Sequence, residues 1–265
     1  MTTKQWGAFF LVLDVIFEEK NPKLLKIFID ACKSGNVDLV ILLIEFVDPS
    51  ANNNSAIRMA SRNGHLAVVD RLLQDRRVDP SADNNYAIRW TSYYGHIAVV
   101  DRLLQEDRTD PSAENNCAIR WASQNGHIAV VDRLLQDMKK RVDPSAYDNL
   151  AIRWASEIGH IAVVDRLLQE ECVDPSAVDN YAIRFASGCG HIVVVDRLLQ
   201  DRRVDPSAAN NIAIRWSSHN GHITVVDRLL QDRRVDIFTD NMIGWLQTKV
   251  GQFVLKNLTT NKNQQ

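Results

Sequence analysis

Apolar and polar positions recur along most of the chain with a period close to 31 residues. In the stretch HIAVVDRLLQ, which begins at His96, apolar residues return at helical spacing and predict one buried helix face. The predicted face consists of Ile97, Val100, Leu103 and Leu104. The preceding AIRWTS predicts a shorter helix, and Gly95 supplies the left-handed residue that ends it. Each period therefore predicts a helix, a turn, a second helix and a short extended loop.

Gly-His pairs mark the period. Their glycines are Gly64, Gly95, Gly126, Gly159, Gly190 and Gly221. An imperfect unit precedes them, with Gly35 and Asn36 in the same register. After the second helix a proline recurs in VDPS-like segments, and the residue before a proline is driven out of the helical region. A unit of this size has too little core to fold alone, so neighbouring units are expected to stack into a solenoid.

This pattern divides the chain into four parts. Residues 1–23 are expected to form a helix that caps the array, and residues 24–235 to form one imperfect and six regular repeats. Residues 236–258 predict a degenerate closing repeat, and residues 259–265 a flexible tail. Asp30 stands where the interior repeats have Trp or Phe, as expected for a polar end of a solenoid.

The repeated motifs resemble those of the ankyrin repeat. The family's TPLHLAAxxGH followed by LEVVxLLL is similar to YAIRWTSYYGH followed by IAVVDRLL, and the resemblance covers residues 24–258. It is closest to the variant NNxAIRxASxxGH, common in amoebae and in their large DNA viruses. The resemblance implies an all-α ankyrin-repeat solenoid of stacked helix-turn-helix units. It also implies that a partner protein binds along a concave surface made of the first helices and the loop tips.

The chain departs from the family pattern at the start of each first helix. Arginine replaces the motif's histidine, and the usual hydroxyl cap is mostly missing. An asparagine one residue earlier, such as Asn85, is expected to cap the helix instead. The repeats are also about two residues shorter than the family norm, which leaves the length of the projecting hairpins open.

Charge and cysteine usage narrow the possible partners. A net charge of −2 gives no basic surplus for nucleic acid, so no nucleic-acid partner is expected. The apolar run WGAFFLVL, beginning at Trp6, is too short to span a bilayer, and no membrane partner is expected. The four cysteines show neither paired spacing nor a CxxC motif. We therefore expect a monomer in a reducing, cytoplasmic compartment.

The six regularly spaced histidines do not predict a metal site. Stacked helices lie roughly 8–10 Å apart, whereas imidazoles that share a zinc ion need nitrogens at about 2.1 Å from it. Each histidine is expected to bond to backbone at a repeat junction. The sequence also has no Gly-rich phosphate loop, no GxSxG and no HExxH motif. We therefore predict no enzyme, no catalytic residue, no metal and no cofactor.

Two further columns of residues recur once per repeat. The arginine column is Arg58, Arg89, Arg120, Arg153, Arg184 and Arg215. It is interpreted as an internal ladder to the VDPS aspartates or to loop carbonyls, with a binding stripe for an acidic partner as the alternative. The column Trp90, Trp121, Trp154, Phe185 and Trp216 is interpreted as core. Arg-to-acid pairs four residues apart on the second helices predict a solvated outer face.

Residues that vary between repeats at exposed positions are free to recognise a partner. The candidate partner-binding residues are Asp83, Tyr93, Tyr94, Glu114, Gln124, Asn125, Tyr147, Glu157, Ile158 and Val178. They predict a non-enzymatic adaptor that binds a partner protein. The alternative is a substrate-recognition subunit of a ubiquitin ligase. The resemblance disfavours it, because about 23 residues before the array are too few for the three helices of an F-box.

Overall fold

The structure is a computed structural model that describes residues 22–137, 142–235 and 251–252. Within these ranges the chain forms fourteen helices and no strand. The helices are α1 Pro22–Ser34, α2 Val37–Leu43, α3 Ala51–Arg62, α4 Leu66–Leu73, α5 Ala82–Tyr94, α6 Ile97–Leu104, α7 Ala113–Gln124, α8 Ile128–Leu135, α9 Ala146–Ile158, α10 Ile161–Leu167, α11 Ala177–Gly188, α12 Ile192–Leu199, α13 Ala208–His219 and α14 Ile223–Leu230. Apart from residues 22–23 and 251–252, the predicted capping helix, closing repeat and tail lie outside the described residues.

The chain divides into two compact units. Among the described residues, the first unit contains 22–122, 129–137 and 142, and the second contains 123–128, 143–235 and 251–252. In the first unit α1 packs on α3 and α3 on α5, while α2 packs on α4 and α4 on α6. In the second unit α9, α11 and α13 form one such row, and α10, α12 and α14 form the other. Consecutive helix pairs therefore stack in register, which confirms the predicted architecture.

The core is built from the same few positions in every repeat. On α5 the buried residues include Ile88 and Ser92, which lie four residues apart. On α6 the buried stripe includes Val99 and Leu103, whereas Ile97 is only half-buried. The prediction that Ile97 belongs to the buried face is therefore wrong. The buried residues of α6 are Val99, Val100, Leu103 and Leu104.

The aromatic column is not core. Trp90, Trp121, Trp154, Phe185 and Trp216 are all half-buried. Trp90 follows the fully buried Ile88 by two residues, which is a rotation of about 200° around the helix. Its ring therefore projects away from the core, onto the face that the first helices present to solvent. The prediction that this column is core is corrected.

The first turn of each regular first helix contains three successive left-handed residues. In α5 the three successive residues Asp83, Asn84 and Asn85 have φ of 59°, 54° and 59°. The third turn residue is always Asn and the second is Asn or Asp, the residue types that tolerate this conformation best. The first turn residue varies more, and is Asn52, Asp83, Glu114, Tyr147, Val178 or Ala209.

In four of the six turns the third asparagine bonds to the next repeat and does not cap its own helix, contrary to the prediction. Asn85 Oδ1 accepts a hydrogen bond of 2.7 Å from the backbone N–H of Asp110, in the next repeat. Asn54 bonds to Asp79 in the same way, also at 2.7 Å. A capping residue needs an extended backbone to hold its side chain over the first helical turn. The left-handed turn removes that geometry, and the amide links adjacent repeats instead.

The arginine column holds this turn from the other side. Arg89 donates from Nε to the Asn84 carbonyl at 2.8 Å and from Nη2 to the Asp83 carbonyl at 3.0 Å. The predicted internal ladder to loop carbonyls is confirmed for five of the six arginines, which are Arg58, Arg89, Arg120, Arg153 and Arg184. The VDPS aspartates have a different role, since Asp79 Oδ1 accepts from the backbone N–H and the hydroxyl of Ser81 at 3.0 and 2.7 Å.

His65, His96 and His160 bond to backbone at the repeat junctions, as predicted. His96 Nε2 lies 3.1 Å from the Arg62 carbonyl, and His65 Nε2 lies 2.9 Å from the Lys33 carbonyl. Five imidazoles fill the space beside a glycine of the preceding repeat, those of His65, His96, His160, His191 and His222. A Cβ on Gly64 would lie 2.6 Å from His96 Nδ1, closer than real side chains approach. The Gly-His pairs thus form contacts between adjacent repeats within each unit.

Ion pairs cover the outer face of the second helices. Arg102 pairs with Glu106, just after its own helix ends, and with Asp70 of the preceding repeat. Asp201 instead bonds to Arg203, two residues later, through both carboxylate oxygens at 3.0 and 2.7 Å. The predicted spacing of four residues thus describes only some of these pairs. The Arg203 hydrogen bonds hold the pKa of Asp201 below its ordinary value.

This lowered pKa predicts an acid-sensitive contribution to stability. Because the folded carboxyl has a lower pKa than the unfolded one, its contribution is complete above the unfolded pKa. It is lost as the pH falls towards the folded pKa. We expect Asp201→Asn to lower the melting temperature at pH 7 and to flatten its decline with acid. Thermal unfolding between pH 7 and pH 3 measures both, with the exposed Asp227→Asn as the matched control. Parallel acid profiles for wild type and Asp201→Asn would contradict the prediction.

Candidate functional site

The first helices of the first unit carry a cluster of aromatic side chains on their solvent-facing side. We define the aromatic cluster as Tyr86, Trp90, Tyr93, Tyr94 and Trp121. The ring centroids of Trp90 and Trp121 are 5.0 Å apart, and those of Tyr93 and Trp121 are 5.6 Å apart. Tyr93 and Tyr94 meet edge to face at 4.9 Å. These distances are typical of packed aromatic pairs, so the cluster is preorganised.

Arginine side chains cover part of this cluster. Arg62 Cζ lies 5.1 Å from the Trp90 ring centroid and 5.5 Å from that of Tyr94. Arg62 Nη2 also donates a 3.0 Å hydrogen bond to the Tyr94 hydroxyl, which raises the pKa of Arg62. The planar guanidinium is therefore held against two rings. Arg58 lies over Tyr86 in the same way, at 5.1 Å.

The second unit repeats this arrangement with fewer rings. Tyr181 stacks on Phe185 at 3.8 Å, and Phe185 meets Trp216 edge to face at 5.2 Å. The Tyr181 hydroxyl donates a 2.8 Å hydrogen bond to Glu157. Burial and this hydrogen bond raise the pKa of Tyr181 to about 12, so the hydroxyl remains a donor at neutral pH. Glu157 is thereby held against the aromatic face.

The left-handed turns present their first residue to solvent. Tyr147 is 62% exposed and Val178 is 45% exposed, and these two occupy the equivalent turn position in consecutive repeats of the second unit. Both residue types are disfavoured in the left-handed conformation, Val most of all because it is β-branched. The turns of the first unit are polar instead. Asp83 forms an ion pair of 2.6 Å with Arg58, and Glu114 accepts a 2.8 Å hydrogen bond from Asn84.

The predicted partner-binding residues lie on these surfaces to different degrees. Tyr93 and Tyr94 contact each other within the aromatic cluster, and Tyr94 is 40% exposed. Ile158 is exposed at the end of α9. Gln124 and Asn125 are half-buried, and the Gln124 carbonyl bonds to His160 at 3.1 Å. The structure thus brings the tyrosines together and assigns Asp83, Glu114 and Glu157 to contacts within the fold.

Sequence reasoning missed Tyr86, Trp90 and Trp121 as parts of this surface. The signal that identifies Tyr86 and Trp90 is their spacing. Tyr86, Trp90 and Tyr94 lie four residues apart, on one face of α5. The buried Ile88 and Ser92 form a second series, displaced by two residues, on the opposite face.

The described residues also bear on metal binding and on thiol reactivity. They contain no group of three His, Cys, Asp or Glu side chains that could hold a metal ion. All four cysteines are free, and burial raises the pKa of each thiol, that of Cys32 to about 12. A raised pKa is the opposite of what an activated thiolate requires. In the same ranges no helix has both the length and the apolar content needed to cross a bilayer.

Comparison with known families agrees with the architecture. Residues 60–148 and 85–179 match the family model described as "Ankyrin repeats (3 copies)". Residues 60–179 therefore consist of ankyrin repeats, a class of protein–protein interaction module that is generally non-enzymatic. No curated protein matches the chain. The resemblance to the amoebal and viral variant stays a prediction.

Proposed function

We propose that this protein is an adaptor that binds a partner protein on the face formed by its first helices and its left-handed turns. The observation that carries the proposal is the aromatic cluster. Five large rings and the Arg62 guanidinium lie on one face of the first unit, and none of the rings is fully buried. Tyr, Trp and Arg are the residue types that contribute most to binding free energy at interfaces.

Rigidity strengthens this interpretation. A side chain that becomes ordered on binding costs about 0.5–1.5 kcal/mol. Tyr93 and Tyr94 are already held against Trp90, at 5.5 and 6.1 Å between ring centroids. They therefore lose little further freedom when a partner binds. We also propose a monomer in a reducing cytoplasm, which the four unpaired cysteines support.

The strained turn of the second unit provides a test that separates stability from binding. Val178 has φ of 53°, and a left-handed residue costs about 1–2 kcal/mol unless it is Gly or, in part, Asn or Asp. Val178→Asn is therefore expected to raise the free energy of unfolding by about 1 kcal/mol. Urea denaturation measures this change. Val193→Asn, at an exposed right-handed position of α12, is the control and should give no gain.

The same variant should bind the partner less well if the exposed valine contacts it. We therefore expect Val178→Asn to be more stable and to bind more weakly. Strained residues persist at binding sites because the side chain is needed for binding, even though it lowers stability. Lower stability for Val178→Asn would contradict the strained turn. Unchanged binding would show that the Val178 side chain lies outside the contact surface.

The adaptor proposal is tested directly at Tyr94. Affinity capture from cells, read by quantitative mass spectrometry, should recover partners with wild type that are reduced about tenfold or more with Tyr94→Ala. The matched control is Ile41→Ala, which removes an exposed apolar side chain from α2 of the same unit. Circular dichroism verifies that both variants fold.

Equal recovery with wild type and Tyr94→Ala would place the contact surface elsewhere. The ubiquitin-ligase alternative predicts a different result. In that case, core subunits of the ligase would be captured equally by wild type and Tyr94→Ala, while a substrate would be lost with the variant.

A further inference from the structure

A groove opens beside the aromatic cluster in the first unit. Its volume is about 470 Å³, and it lies where α1, α3 and α5 end. The lining residues are Lys33, Met59, Arg62, Asn63, Tyr94 and His96. Two of these six, Lys33 and Arg62, are cations and none is an acid. The groove is therefore positively charged.

The two cations occupy the same register in consecutive repeats. Lys33 and Arg62 each precede the junction glycine by two residues. Within the part of the chain that the structure describes, neither forms an ion pair with a carboxylate. Arg62 is held by the Tyr94 hydroxyl at 3.0 Å, a neutral partner that leaves its charge uncompensated. In the later repeats the same register carries Tyr93, Gln124, Glu157, Gly188 and His219.

The apolar lining of the groove also differs from the equivalent positions in the later repeats. Met59 stands in the column that carries Trp or Phe in the following repeats. Methionine is smaller and more adaptable than tryptophan, so the groove keeps space that a ring would fill. The 40% exposed Tyr94 ring lines the groove as well. A basic end and an apolar floor are therefore combined in one groove.

We propose that this groove binds a peptide segment of the partner protein that carries a carboxylate next to an apolar side chain. The carboxylate faces Lys33 and Arg62, and the apolar side chain packs on Met59 and Tyr94. The inference rests on the proposed adaptor function and names the chemistry of the partner. Arginine suits this task, because its planar fork matches a carboxylate.

Charge favours a peptide over a nucleic acid. Binding to a phosphate backbone draws its affinity from many cations along the strand. The groove holds two cations, and the net charge of the whole chain is −2. Two cations suffice for one carboxylate and for local specificity.

The test begins with a phage-displayed library of random 12-residue peptides selected against the full chain. The enriched peptides should carry Asp or Glu within a few residues of an apolar side chain. Fluorescence polarisation then measures the affinity of the best peptide and of its amide analogue, in which Asn or Gln replaces the acid. We expect the analogue, Lys33→Glu and Arg62→Glu each to weaken binding about tenfold or more, and the loss to shrink at high salt.

The matched control is Arg76→Glu, a charge reversal at an exposed position of the same unit. It should leave the affinity within about twofold of wild type. Lys33→Glu is expected to fold normally, because the Lys33 side chain is exposed and the bond to His65 uses only the Lys33 backbone carbonyl. Weaker binding by this variant would therefore not be due to misfolding.

Several outcomes would overturn the proposal. They are a lack of enriched peptides, enriched peptides without an acid, and affinities that Lys33→Glu and Arg62→Glu leave unchanged. A single-stranded 20-nucleotide RNA that binds and loses affinity with the same two variants would assign the groove to nucleic acid instead. If Tyr94→Ala abolishes partner capture while Lys33→Glu and Arg62→Glu do not, the adaptor proposal stands and the groove proposal fails.

Discussion

Replacing Gly64 with alanine is expected to lower the free energy of unfolding by about 2–4 kcal/mol. Two effects add. Gly64 has φ of 77°, a left-handed conformation in which alanine is strained by about 1–2 kcal/mol. The new Cβ would also lie 2.6 Å from His96 Nδ1, so the imidazole must move and weaken its bond to the Arg62 carbonyl. The contact between two adjacent repeats is lost along with the local turn.

Two controls separate these effects. Gly221 has φ of 78°, close to that of Gly64. A Cβ on Gly221 would meet no atom of the described residues within 4 Å. Gly221→Ala should show the conformational cost alone. A double-mutant cycle with His96→Ala removes the clash, so the two substitutions together should cost less than the sum of the single costs. Urea unfolding followed by circular dichroism measures wild type and the four variants. Equal losses for Gly64→Ala and Gly221→Ala would show that the packing of His96 contributes nothing.

Asn85→Ala is expected to lower the free energy of unfolding by about 2 kcal/mol. Alanine is strained at the φ of 59° that Asn85 adopts. It also removes the acceptor that takes a 2.7 Å hydrogen bond from the Asp110 backbone, leaving a partly buried N–H without that partner. One side chain thus stabilises both its own turn and the junction to the next repeat.

Asn85→Gly divides this cost into its two parts. Glycine adopts the left-handed conformation freely but provides no acceptor, so about half of the loss should remain. The same urea titration applies. A loss for Asn85→Gly as large as that for Asn85→Ala would show that the inter-repeat hydrogen bond carries the whole effect. No loss for either variant would contradict the assigned role of Asn85.

The candidate surface shows where sequence reasoning succeeded and where it failed. Variation between repeats pointed to Tyr93 and Tyr94, and the structure gives both a place in the aromatic cluster. A different argument assigned Trp90 to the core, because its column recurs once per repeat and each ring was expected to be covered by the neighbouring repeat. The recurrence in fact reflects stacking along the exposed face, where Trp90 contacts Trp121. Periodicity alone does not distinguish repeated burial from repeated stacking.

By itself the sequence determined the repeat length, the helix pairs, the turns at glycine and proline, and the histidine contacts at the junctions. These features follow from local spacing and from backbone preferences, which a one-dimensional pattern contains. Only the tertiary structure decided that Asn85 bonds to the next repeat, that Arg89 holds a left-handed turn, and that the Trp column lies on the surface. Those outcomes depend on which side chain of one repeat meets which atom of its neighbour. These contacts between repeats are determined by how the helices pack, and not by the order of residues within a repeat.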